Sequence, residues 1–154
     1  MTVHRRAVRR RGAPVLMVIA AGGMAGAAAR YAVSLGVPTA ADGLPWSTLV
    51  VNVSGCLLIG VLMVLIVETH QAHRLVRPFL GVGVLGGYTT FSTYSVETQL
   101  LIAAGRPGVA LVYLVGTALV ALAAVQLGVV LTRALALSGR TTRRRGASSR
   151  AGSQ

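Results

Sequence analysis

The stretch FLGVGVLGGYTTFSTYSVET, residues 79–98, carries much of the polar chemistry of an otherwise apolar chain. Gly81, Gly83, Gly86 and Gly87 precede Thr89, Thr90, Ser92, Thr93 and Ser95. Glycine is poor in helix interiors, and two adjacent glycines followed by two β-branched threonines favour a break in the helix. A break frees carbonyls, which suit a hard cation, and N–H groups and hydroxyls, which suit an anion. Phe91 and Tyr94 are three residues apart, on one face of a helix that starts after the break. Their rings have electropositive edges. Aimed at a small anion, such edges attract it without a full charge that would trap it; packed on each other, they make an ordinary aromatic pair. Asn52, in WSTLVVNVSGCLLIG, offers an amide with two donors, to a ligand or to a neighbouring helix. Arg30, in GGMAGAAARYAVS, costs about 2.5–3.5 kcal/mol at a bilayer centre and must face water, an anion or a carboxylate. It reads either as an electropositive vestibule or as a snorkelling residue or structural partner of Glu97.

These residues sit in 154 positions, enough for one domain. Hydrophobic residues make up 54% and charged residues only 12%, with a mean hydropathy of +0.71. Too few polar side chains remain to cover a water-facing surface, which excludes an ordinary soluble enzyme. The high hydrophobicity excludes a disordered chain. Four apolar stretches, about 15–35, 47–67, 79–104 and 109–132, are each long enough to cross a hydrocarbon core. Segments such as LVVNVSGCLLIGVLMVLIV lack the alternation of a barrel strand, so helices are the expected form. The expectation is an all-α membrane protein with four transmembrane helices, the third broken near its middle. That domain occupies 15–137. A basic tail, 1–14, precedes it and a basic, disordered tail, 138–154, follows it. Gly22 and Gly26 form a GxxxG, and Gly55, Gly60, Gly116 and Thr117 are further close-approach sites. The single cysteine, Cys56, excludes an intramolecular disulfide.

All 15 basic residues are arginine, against the acids Asp42, Glu68 and Glu97. Four spans put both ends of the chain on one side. That side collects 13 arginines and the other only Arg106. The bias predicts both termini in the cytoplasm. Beside membrane spans, basic tails read as topology control rather than as nucleic-acid binding.

Three motifs, in order, resemble the small fluoride channels called Fluc or CrcB: GGMAGAAARY, PWSTLVVNVSG and GGYTTFSTYSVE. The resemblance covers about Ala21 to Gly128. It implies a fluoride-selective channel, not an enzyme, that gives passive F⁻ efflux across a bacterial-type plasma (inner) membrane. That efflux lowers cytoplasmic fluoride and confers resistance to it. It implies an antiparallel, dual-topology dimer with two pores and a structural Na⁺ at its centre, held by the carbonyls of Gly86 and Thr89. Along the fluoride pathway it places Asn52, Phe91, Thr93, Tyr94, Tyr113 and Thr117. The family usually carries Phe where Tyr94 stands and Ser where Thr117 stands. Arg30 matches its vestibule arginine and Glu97 its acid after the aromatic motif. A proton-coupled exporter of cationic drugs, by contrast, needs a carboxylate in the first helix, where this chain has Arg30. A chain that inserts both ways needs a weak arginine bias. The strong bias here therefore points to a heterodimer with an oppositely inserted homologue, with a homodimer as the alternative.

Overall fold

A computed structural model of the chain describes the backbone of residues 2–37, 43–69 and 74–151, and the side chains of residues 13–37, 43–66 and 74–136. The described residues are helical, with no strand among them. Helix α1 spans Thr2–Gly36 and α2 spans Trp46–Thr69. A π-helical stretch, Arg77–Leu85, runs directly into the short α3, Gly86–Tyr88. Then come α4, Phe91–Ala103, and α5, Pro107–Ala151. Pro78 lies in the first turn of the π stretch and Pro107 opens α5, where a missing N–H costs little. Pro14 lies inside α1. Helical backbone runs from Thr2 in α1 and on to Ala151 in α5. Arginine is a good helix former, so a polar composition does not by itself stop a helix. Asp42 and the side chain of Glu68 lie outside the described residues.

Among the described residues, three helical segments are long and apolar enough to cross a membrane: Ala13–Gly36, Trp46–Ile66 and Pro107–Ala136. They match three of the four apolar stretches of the sequence. The fourth, 79–104, is divided. Helical geometry stops at Tyr88, and Thr89 (φ −74°, ψ 155°) and Thr90 (φ −145°, ψ 123°) are extended before α4 begins. The α4–α5 turn is a Schellman cap. Gly105 takes φ +73°, the Arg106 N–H donates to the Leu101 carbonyl and the Gly105 N–H to that of Ile102.

Glycine brings the helices close in two places. A Cβ on Gly22 would lie 2.5 Å from the Phe79 carbonyl oxygen, and one on Gly26 only 2.0 Å from that of Val84. From the other side, a Cβ on Gly87 would meet the Gly23 oxygen at 2.3 Å. Thus α1 lies backbone to backbone along the π stretch and α3. The second approach pairs Gly60 of α2 with Gly128 of α5, whose Cβ atoms would lie 2.3 Å from the Val125 oxygen and 2.4 Å from the Leu57 oxygen. Gly116, expected to be a close-approach site, has open space above its Cα. Large apolar side chains such as Leu16, Met17, Val112, Leu122 and Leu135 stand more than 60% exposed. They form the apolar surface that lipid or another subunit would cover.

Candidate functional site

The site is built around the two extended residues. In a continuous helix, the Thr90 N–H would donate to the Gly86 carbonyl and the Thr93 N–H to that of Thr89. Neither does. The Thr90 N–H donates to Asn52 Oδ1 at 2.8 Å, and Asn52 Nδ2 returns a bond to the Thr90 carbonyl at 2.9 Å. One amide therefore grips both polar groups of one extended residue. The Thr93 N–H donates to Thr90 Oγ1, which makes Thr90 the N-cap of α4. Gly55 on α2 leaves room for this, since a Cβ there would lie 2.3 Å from the Thr89 methyl. One turn before Asn52, Thr48 reaches α4, donating to Glu97 Oε1 at 2.8 Å. On the far side, Tyr113 of α5 donates to Glu97 Oε2 at 2.8 Å. A single carboxylate thus ties α2, α4 and α5 together with charge-assisted hydrogen bonds.

The aromatic residues form a row. The Phe91 and Tyr94 ring centroids are 5.9 Å apart and tilted by 54°. Those of Tyr94 and Tyr113 are 5.3 Å apart and tilted by 57°. Both are offset arrangements that present ring edges. Tyr94 and Tyr113 are buried, whereas Phe91 is 79% exposed.

Counting donors decides what the cluster can hold. The Tyr94 hydroxyl is spent on the Leu114 carbonyl and the Tyr113 hydroxyl on Glu97. Thr93 Oγ1 accepts from Thr90 Oγ1, which leaves the Thr93 proton to donate. Asn52 Nδ2 keeps its second hydrogen. Thr117 Oγ1 is buried and has no partner. It lies beside Tyr113 in an apolar cavity of about 190 Å³ between the start of α2 and α5. A larger cavity of about 370 Å³ opens between α1, α2 and the break, lined by Arg30, Thr48, Thr90, Thr93 and Glu97 among others. Arg30 and Glu97 share that cavity, but both Glu97 oxygens are taken by hydroxyls. No ion pair joins Arg30 and Glu97, so the cavity presents a guanidinium on one part of its wall and a hydrogen-bonded carboxylate on another. Unspent hydroxyl and amide donors near a guanidinium suit an anion.

The structure therefore gathers Asn52, Phe91, Thr93, Tyr94 and Tyr113 at one junction, sets Arg30 and Glu97 in the adjoining cavity, and puts Thr117 one turn beyond Tyr113. Gly86 and Thr89 flank the break, their carbonyls deprived of their helical donors. Sequence reading missed Thr90 and Thr48 as organising residues. Thr90 had a signal in its three-residue spacing to Thr93 before a helix; the Thr48–Glu97 bond spans 49 positions and had none.

This architecture is that of a small polytopic helical membrane protein with a polar break at its core. Residues 17–129 match the family model described as CrcB-like protein, Camphor Resistance (CrcB), and the chain belongs to that family. It is 60% identical over 115 residues to Fluoride-specific ion channel FluC 1 of Streptomyces coelicolor, covering 75% of each chain. It is 55% identical over 114 residues to Fluoride-specific ion channel FluC 2 of Streptomyces avermitilis, covering 74% of this chain and 72% of that one. Over 121 residues it is 38% identical to Fluoride-specific ion channel FluC of Nitrobacter winogradskyi, covering 78% of this chain and 96% of that one.

Proposed function

We propose that the chain is a subunit of a fluoride-selective channel that lets F⁻ leave the cell passively across the plasma membrane, which lowers cytoplasmic fluoride and protects against its toxicity. The observation that carries this reading is the cluster at the break, where Asn52 and Thr93 keep unspent donors, Phe91 and Tyr94 pair on the helix that follows, and Thr93 lines a cavity shared with Arg30 and Glu97. The relatives named as fluoride-specific channels supply the halide. Fluoride is small and strongly hydrated, so a path must replace its water with donors in several weak steps, and hydroxyls, one amide and ring edges do that without trapping the ion. A membrane potential of 100 mV, negative inside, drives each charge outward with about 2.3 kcal/mol.

In this reading, residues 79–104 form one membrane span interrupted at Thr89–Thr90, and the working unit is an antiparallel dimer. The exposure of Phe91 supports a second subunit, because an aromatic wall needs something opposite it. The carbonyls of Gly86 and Thr89 fit a structural sodium ion, since both have lost their helical donors to Asn52 and Thr90. A hard cation prefers such oxygens and would tie the two breaks together. Thirteen arginines on one side hold both termini in the cytoplasm, and the partner is then a homologue inserted the other way.

Fluoride-electrode efflux from liposomes, with chloride as control, tests the activity. The chain reconstituted with its inverted partner releases fluoride and retains chloride; vesicles impermeable to both would refute the reading. For topology, a cysteine placed in each basic end should resist labelling from outside. Labelling of both orientations in cells lacking other homologues would refute the heterodimer.

A further inference from the structure

We propose that Asn52 is a positioning residue for the cation site: its amide holds the Thr90 N–H away from the Gly86 carbonyl, and so keeps that oxygen free for the ion. The inference rests on the reading of Gly86 and Thr89 as sodium ligands. It goes further by giving Asn52 a role distinct from contact with fluoride. Three linked facts support it. The Thr90 N–H is the natural helical donor to Gly86. Asn52 Oδ1 captures that N–H at 2.8 Å. Asn52 Nδ2 binds the carbonyl of the same residue at 2.9 Å, so Thr90 cannot swing back while the amide is in place. A carbonyl freed from its helical donor needs another partner, which a bound cation supplies. Without Asn52, the cheapest partner is the Thr90 N–H, and the break would tighten toward a helix.

The two halves of the amide have separable consequences. Asn52→Asp keeps an oxygen for the Thr90 N–H. Its new charge opposes anions, so fluoride flux falls while sodium binding persists. Asn52→Leu keeps the volume and removes both bonds, so sodium binding weakens.

The experiment is thermal unfolding of the purified full chain, in the assembly that reconstitutes, titrated with NaCl against choline chloride at constant ionic strength. The sodium midpoint of stabilisation should rise by about 10–100-fold in Asn52→Leu, the effect typical of losing a group that orients a metal ligand. In Asn52→Asp it should stay within roughly threefold of wild type or fall, since oxygen ligands and negative charge favour the ion. An unmoved midpoint in Asn52→Leu overturns the proposal, as does an equal rise in both variants. Should Asn52→Leu not fold, amide exchange at Thr90 in the wild type decides: protection in sodium-free choline buffer supports the lock, and coil-like exchange overturns it. Fluoride efflux is read from the same preparations. Wild type that conducts fluoride without sodium-specific stabilisation overturns this inference and leaves the channel standing. A sodium midpoint that shifts as described across the variants, when the wild type itself passes no fluoride, supports the inference and overturns the channel.

Discussion

Replacing Gly26 with alanine tests the backbone approach that holds the break against α1. A Cβ at this position would lie 2.0 Å from the Val84 oxygen, 2.8 Å from the Tyr88 nitrogen and 2.9 Å from the Val84 carbon. All three are backbone atoms, so no side chain can rotate away. The contact falls roughly 1.4 Å short of ordinary van der Waals distance, and only a shift of α1 relieves it. Overpacking of this kind typically costs 1–3 kcal/mol, and a backbone-on-backbone clash belongs at the upper end, about 3 kcal/mol. The control is Gly23→Ala, three residues away on the same helix. A Cβ there meets nothing within 4 Å. It should be neutral or gain up to about 1 kcal/mol, because alanine is the better helix former. Thermal unfolding in detergent, followed by loss of the folded peak on size exclusion, separates the two. At the sensitivity expected for about 150 residues, Gly26→Ala should melt roughly 6–12 °C below wild type and Gly23→Ala at or slightly above it. Equal melting of the two variants would refute the close approach of α1 to the π stretch and with it the packing that sets the break.

Three more perturbations probe the site. Phe91→Ala removes a ring that is 79% exposed, so the chain's own stability should change by no more than about 0.5 kcal/mol while fluoride efflux slows; a large drop in melting temperature with flux intact would count against a pathway role. Thr90→Val keeps the side-chain shape but removes the acceptor for the Thr93 N–H, costing about 1 kcal/mol, visible as faster amide exchange at the first turn of α4. Glu97→Gln leaves one carbonyl oxygen where two hydroxyls now donate to a carboxylate, so melting should reflect a loss of about 1.5–3 kcal/mol; the double variant Glu97→Gln with Tyr113→Phe should lose less than the sum, because the two share one bond.

How much of this was legible beforehand differs from residue to residue. The spans of α1, α2 and α5 follow from unbroken apolar length, a property each segment carries alone because the bilayer tests segments one at a time. The interruption at Thr89–Thr90 was written in GGYTT, since glycine pairs and β-branched residues act on the local backbone. The choice of Gly22 and Gly26 as contact points was also readable, because close packing leaves no other residue small enough. What faced what was not. Asn52 reads equally as a ligand donor or a helix-to-helix bond until Thr90, 38 positions away, is seen taking its oxygen and one of its two amide hydrogens. Arg30 and Glu97 read as partners by charge, yet Thr48 and Tyr113 reach the carboxylate first. Tyr94 offers a hydroxyl on paper that in the fold already serves the Leu114 carbonyl. Local chemistry thus fixed where the helices run and where one of them parts; which donors stay unspent depended on contacts between distant segments, because a hydrogen goes to whichever acceptor the packing brings nearest.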